Sequence, residues 1–292
     1  MSGQQANAPL RRPPRIPAVE ALPPLVPRSA LSVFDEAVAF LRVDPGILFT
    51  VAVVVLLPLR IIAVALPGSP LRDARPDQLI DVLIGNLDAP GAVFAAFATL
   101  VLESLALFTV GAMYGEAAAA WYGGKEVTAV DLLIASIKRS PAIVVAWGAI
   151  HVAEALGAVV SVGLLGIFLG TLFMVTAPAL GAEASGGLTS IRRSSSLVSA
   201  KLGHALFVFI LTGVGAIVMR FAIELAPSAL GLELLGVPLW LVSGVADLVA
   251  SVFVTAFVAA AATVLYIDLR VRREGIDLAM SIPEVFADTG SR

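Results

Sequence analysis

ALGAVVSVGLLGIFLGTLFMVTAPALGA, residues 155–182, runs for 28 residues without a charged side chain. The hydrocarbon core of a bilayer takes about 20 helical residues, so this stretch belongs in a membrane. Together with the apolar residues 141–154 it has two readings: one broken helix over 141–182, or a hairpin of two spans. Charge arbitrates between them. Lys138 and Arg139 precede the segment, and Arg192 and Arg193 follow it. A single crossing would put the two basic pairs on opposite sides, against the tendency of Lys and Arg to stay cytoplasmic. A hairpin keeps them together, and Gly157, Gly163, Gly166 and Gly170 supply a tight turn or close packing.

The same reading extends outward along the chain. Residues 248–267 carry no charge, and 202–219 carry only His204. Three further apolar segments are each interrupted sparsely: 45–66 by Arg60, 89–115 by Glu103, and 141–163 by His151 and Glu154. The sequence therefore predicts an all-α polytopic membrane protein with six transmembrane helices, roughly 45–66, 90–120, 141–162, 164–182, 203–226 and 237–267. The second and sixth exceed a bilayer and should tilt or project from it. Composition agrees: 59% of the 292 residues are hydrophobic and 14% charged, where soluble domains are nearer half and a quarter. The net charge of −3 offers no basic field for nucleic acid, and the lack of cysteine removes disulfides, thiolate metal sites and cysteine nucleophiles.

With six spans, both termini fall on the cytoplasmic side of the cell (inner or plasma) membrane. That side collects fifteen Lys and Arg, whereas the outer loops hold only Arg72 and Arg75. Residues 1–28 contain seven prolines and no apolar run, so they read as a disordered cytoplasmic tail and not as a signal peptide. Residues 29–280 form the helical membrane domain and 281–292 a flexible tail.

Short amphipathic segments precede three of the spans. In 29–42, Leu31, Phe34, Val38 and Leu41 share a face. In 128–140, Val130, Leu133, Ile134 and Ile137 are apolar, and 187–200 repeats the pattern. Ser136-Ile137-Lys138-Arg139-Ser140 and Ser190-Ile191-Arg192-Arg193-Ser194 are near copies. The chain thus reads as three units of surface helix plus membrane hairpin, its surface helices lying in the cytoplasmic interface. The competing reading is chance similarity of short basic joints.

Three strings carry a family resemblance. Ala177-Pro178-Ala179-Leu180 through Glu183 and then Ile191-Arg192-Arg193-Ser194-Ser195-Ser196-Leu197-Val198 form the first. Leu265-Tyr266-Ile267-Asp268-Leu269-Arg270-Val271-Arg272-Arg273-Glu274-Gly275-Ile276-Asp277-Leu278 is the second and the most specific. Ser32-Val33-Phe34-Asp35-Glu36-Ala37 is the third. Over about residues 29–280 the chain resembles the glycerophosphoryl diester phosphodiesterase membrane-domain family of bacterial, often actinobacterial, integral membrane proteins. The resemblance implies a polytopic helical protein. It does not imply phosphodiesterase chemistry, because in enzymes of that name a separate soluble barrel carries the catalytic residues, and this chain has no such barrel.

Charged residues within spans are costly, roughly 2.5–3.5 kcal/mol each on the insertion scale, and this chain keeps Arg60, Glu103, Glu154, Arg220, Glu224 and Asp247, with His151. They form the candidate intramembrane polar network. By helical rise, Arg60 and Glu103 sit at similar depth on adjacent antiparallel helices and should pair. His151 and Glu154 share one face; the bland reading is a mutual hydrogen bond or contact with Arg220, and the functional one a proton relay or polar cavity. Asp247 is expected to line a small cavity open to the outer face. At the cytoplasmic end, Lys138, Arg139, Arg192, Arg193, Arg270, Arg272 and Arg273 form a candidate docking surface for anionic lipid headgroups or a membrane protein partner. There, Asp268 and Arg272, Arg270 and Glu274, and Arg273 and Asp277 stand i,i+4, and Gly275 ends or bends the helix.

No phosphate loop, nucleophile elbow or metal-ligand pattern is present, so no catalytic, cofactor-binding or metal residues are expected. The expected role is a non-enzymatic membrane scaffold or accessory subunit. The alternative is a transporter or lipid-handling protein with a polar intramembrane cavity. Reporter fusions at Gly3, Asn86, Lys125, Ser185, Leu232 and Ser291 test the topology: Lys125 and Ser185 should report the same, cytoplasmic side. Opposite sides would remove the hairpin at 141–182.

Overall fold

The computed structural model describes residues 22–65, 90–161, 164–229 and 239–276. The remaining residues, among them Arg72, Arg75, Asp277 and the 281–292 tail, lie outside the described residues. All regular structure there is helical: α1 Ala30–Leu41, α2 Pro45–Ala65, α3 Pro90–Tyr122, α4 Ala129–Lys138, α5 Ser140–Ser161, α6 Leu164–Phe173, α7 Thr176–Glu183, α8 Gly187–Ser199, α9 Leu202–Ala229 and α10 Leu239–Glu274. Six segments are long and apolar enough to cross a membrane: Pro45–Ile62, Phe97–Tyr122, Ser140–Gly157, Leu164–Glu183, Leu202–Pro227 and Gly244–Glu274. The 141–182 region is a hairpin, as the charge pattern predicts. The succession of one short helix and two spans occurs three times along the chain, if α6 and α7 are taken as one span.

Helix α10 is the pillar of the bundle. Its span is 72% buried, against 11% for that of α9. The reason is its sequence: Ala256, Ala259, Ala260 and Ala261 are almost wholly buried, and such small side chains let neighbouring backbones approach. Around α10 stand α1, α2, α3 and α9. Tyr114 of α3, fully buried, donates its hydroxyl to the Leu48 carbonyl of α2 at 2.9 Å. The tightest crossing is that of α3 with α7. A Cβ on Gly115 would overlap the Pro178 carbonyl, and one on Gly181 would overlap the Ala112 carbonyl.

The fourth span is broken. Helix α6 ends at Phe173 and α7 begins at Thr176. Pro178 has no amide proton for the Met174 carbonyl one turn back, and the last turn of α6 leaves carbonyls without helical donors. Ser194 of α8 donates its hydroxyl to one of them, Leu172, at 2.9 Å.

The three amphipathic segments are helices, but they do not play one part. Helix α4 starts in a capping box of Thr128 and Asp131, whose hydrogen bonds from the Thr128 hydroxyl and amide hold the Asp131 carboxyl below its usual range. Its Val130, Ile134 and Ile137, spaced i, i+4, i+7, are exposed, as an interfacial helix requires. Helix α1 buries Val33, Ala37 and Phe40 and half-buries Phe34, Val38 and Leu41 of the predicted stripe, leaving Leu31 exposed. The reason is that α9 and α10 offer it a seat: the Phe34 ring meets Phe257 edge-on with centroids 5.0 Å apart and lies against Gly215. Helix α8 buries Ser190, Ser194, Leu197 and Val198 behind the helix break. The tail reading to residue 28 is also corrected at its end: Tyr122 donates to the Pro23 carbonyl at 2.7 Å, and Arg28 is buried.

The crossing of α3 and α7 gives a matched pair of substitutions. Gly181→Val forces a side chain into backbone that cannot swing aside, and should cost about 1–3 kcal/mol, seen as a lower melting point in detergent. Gly148→Val, where a Cβ meets nothing within 4 Å, should leave melting unchanged. Equal effects would show that the close crossing is not what holds these helices.

Candidate functional site

The seven polar residues expected to form one network form two separate groups. The first closes on itself between α2, α3, α9 and α10. Arg60 is ion-paired with Glu103, as expected from their depths, and donates to the Ser251 hydroxyl. Its Nη1 lies 3.0 Å from Asp247 Oδ2. Arg220 reaches Asp247 Oδ1 and Glu224 Oε1, each at 2.7 Å, and stands 3.8 Å from Glu103. Asp247 is therefore held between two guanidiniums and is 8% exposed. The void beside Arg60 and Glu103 is about 10 Å³, at the lower limit for one water molecule. The cavity expected at Asp247 is thus replaced by a closed cluster. Two arginines drawn to one carboxylate leave no room for it.

The second group lines a cavity that is open on one side, where Phe97, Val152 and Ile167 are exposed. A space of about 1000 Å³ lies between α3, α5, α6, α7, α9 and α10. Helix α5 supplies its polar wall because Trp147, His151 and Glu154 recur at i, i+4 and i+7 and so share a face. Trp147 donates its indole N–H to the Ser104 hydroxyl of α3 at 3.0 Å, and its ring lies 5.1 Å from that of His151. His151 Nδ1 stands 3.4 Å from Glu154 Oε2. The Arg220 contact weighed for this pair is not made, since Arg220 faces the closed cluster. The other walls are apolar, with Phe97, Phe108, Phe173 and Phe209 among them, and no Lys or Arg lines the space among the described residues. Glycines create the volume: a Cβ on Gly148 or Gly213 would meet nothing within 4 Å, and Gly170 leaves room for Glu154 and Phe209. Thr212, a lining residue, keeps a buried hydroxyl without a partner, as does Thr176 at the helix break.

The basic end, which gathers the start of α2, α5 and α9 and the finish of α3, α7 and α10, is a lock more than an open docking surface. Asp268 is fully buried. It accepts the Arg28 amide at 2.6 Å, faces His204 Nε2 at 3.0 Å, and accepts Arg272 Nε at 2.8 Å. Arg139 holds Glu116 at 2.9 Å and the Gly181 carbonyl at 3.0 Å. Arg193 bridges Glu183 at 2.7 Å and Glu274 at 2.5 Å. Arg270 pairs with Glu274, and Arg273 donates to the Ser196 carbonyl. Gly275, at φ 61°, ends α10 in the left-handed region as expected. Of the seven candidate docking residues, Lys138, Arg192 and Arg273 are exposed and make no ion pair among the described residues.

No family model, curated protein or solved structure matches the chain.

Several participants escape sequence reasoning. His204 reads as a lone histidine in an apolar span until α10 brings Asp268 to it. Glu116 carries a signal, since Arg139 and Arg193 hold equivalent places in the two near-identical strings and each meets an acid. Thr212, Gly148 and Gly213 carry none. Among the described residues no three His, Asp or Glu side chains gather as a metal cluster.

Removing one partner of a buried pair typically costs about 3–5 kcal/mol, because the other charge is stranded. Arg60→Leu should therefore lower yield and melting point, and Arg60→Leu with Glu103→Leu should recover much of both. A double variant no better than the single one would show that the two charges do not depend on each other.

Proposed function

We propose that this is a non-enzymatic, multi-pass protein of the cell membrane, with both termini cytoplasmic, that holds an apolar or amphipathic small molecule in the cavity between α3, α5, α6, α7, α9 and α10. The observation that supports this reading is the cavity itself. It is about 1000 Å³, within the range of small-molecule sites, and it is largely apolar with a few convergent polar groups, as such sites are. The broken span at its floor fits the same reading, because irregular backbone at membrane depth is tolerated where it is buried in protein or lines a cavity. The gathering of basic side chains at one end supports the orientation. The strings around Arg193 and Asp268 support membership of the membrane-domain family that the sequence resembles.

A second reading, a scaffold or accessory subunit, is favoured by a different observation. Asp247 is enclosed, and α4 presents Val130, Ile134, Ile137 and Lys138 outward. Such a helix would seat on anionic headgroups or a partner in the membrane.

The two readings part on filling the cavity. Trp147 lines it, so a neutral hydrophobe such as pyrene bound there should take up tryptophan fluorescence by energy transfer, saturably. Gly148→Phe with Gly213→Phe should weaken that binding at least tenfold while the melting point holds. Undiminished binding in the filled protein would place the hydrophobe elsewhere and leave the scaffold reading as the better one.

A further inference from the structure

Resting on the cavity reading above, we infer that the occupant of this space is a lipophilic monocation, with the Glu154 carboxylate as its counter-charge. Among the described residues the cavity has charge of one sign only. Glu154 is its acid, and no Lys or Arg is present among the lining residues. An anionic headgroup such as a phosphate would find no guanidinium or ammonium there, and an unpaired anion in an apolar space is strongly unfavourable. The arginines of the membrane interior cannot reach in to supply one. Arg60 and Arg220 are both turned to Glu103 and Asp247 on the other side of α3 and α10.

The geometry around Glu154 fits a cation in three respects. Its Oε1 lies 3.6 Å from where a Cβ on Gly170 would be, so the absent side chain leaves space directly before the carboxylate. The wall there is aromatic: Phe209 flanks Gly170, and Trp147 stands one turn from His151 on the helix that carries Glu154. Indole and phenyl faces attract a cation positioned over them, and the attraction grows when the site is dry. The remaining polar lining offers few free donors, the Thr212 hydroxyl and the His151 ring. The Trp147 N–H is already given to Ser104, and the Ser104 hydroxyl to the Val101 carbonyl at 2.9 Å. A delocalised or alkylated cation needs no donors at all, whereas a headgroup rich in acceptors would go unsatisfied. His151 Nδ1 stands 3.4 Å from Oε2, so it is Oε1 that faces the space left at Gly170. The volume accommodates a molecule with several rings or a long alkyl chain.

Charge selectivity tests this directly. Tetraphenylphosphonium and tetraphenylborate have nearly the same size and shape and opposite charge. Equilibrium dialysis of each against the purified full chain in a neutral detergent should show saturable binding of the phosphonium at least tenfold tighter than that of the borate. Glu154→Gln should remove at least tenfold of that affinity and leave pyrene binding as in the unaltered protein. The comparison of the two ions on the unaltered chain stands even if Glu154→Gln fails to fold. Equal binding of both ions, or no loss in the folded Glu154→Gln protein, with pyrene binding intact, overturns the inference and leaves a cavity for neutral lipid or hydrophobe. Failure of pyrene and phosphonium alike overturns the cavity reading itself.

Discussion

A charge inside a bilayer has to be met by another group of the protein, and α10 turns that requirement into architecture. It carries two buried acids, Asp247 and Asp268, twenty-one residues and so ~32 Å apart along the helix. That is close to the thickness of the hydrocarbon core. Asp247 draws Arg60 from α2 and Arg220 from α9. Asp268 draws the Arg28 amide ahead of α1 and His204 from α9. The pillar is therefore fastened near both faces of the membrane, to α9 at each end, to α2 at one and to the segment ahead of α1 at the other. Apolar packing between helices in lipid has no hydrophobic drive to bring them together, so these polar ties and the close contacts of the alanine run decide which helix stands against which.

The spans were legible because the signal is physical and local: uncharged runs of the right length, and basic residues kept to one end. The Arg60–Glu103 pair was legible for a similar reason, since antiparallel neighbours of known rise place residues of equal depth side by side. What could not be read was lateral arrangement. Depth puts His151 and Glu154 near Arg220, yet they lie on other helix faces toward other partners. The surface helices failed for the same cause. The stripe of α1 is a sound amphipathic face, but protein covers most of it: Phe34 sits against Gly215 of α9 and Phe257 of α10, Phe40 beside it packs on Tyr114 and Trp121 of α3, and Leu31 stays exposed. For α4, with less protein to lean on, the predicted stripe and the exposed one largely coincide.

The string most suggestive of a docking surface proves to be mostly internal wiring. In residues 265–275, Tyr266 donates to Glu183 at 2.8 Å, Asp268 anchors the segment ahead of α1, and Glu274 ties Arg270 to Arg193. These contacts link α10 to α7 and α8, the very elements around the helix break. A break in the fourth span needs such support. Pro178 and the close backbone approach at Gly181 fix α7 against α3, Ser194 satisfies a carbonyl that α6 cannot, and Arg193 and Arg139 clamp the end of α7. The lower half of the bundle is held on every side, while α6 above the break is free to lean away from α3.

That difference explains why the cavity lies where it does and why its charge is isolated. Helix α3 is the partition. Glu103 and Ser104 are consecutive and so point about 100° apart around the helix; one faces the closed cluster of arginines and the other the cavity. The cluster uses up both guanidiniums of the membrane interior on three carboxylates, in a space too small for more than one water. On the far side of the same helix, Glu154 has only a histidine beside it and aromatic rings across from it. A chain that needed Glu154 merely for folding could have met it with one of those arginines, as it met Glu103. Instead the strongest polar partners are walled off, and the glycines of α5, α6 and α9 hold open the space that a side chain would otherwise fill.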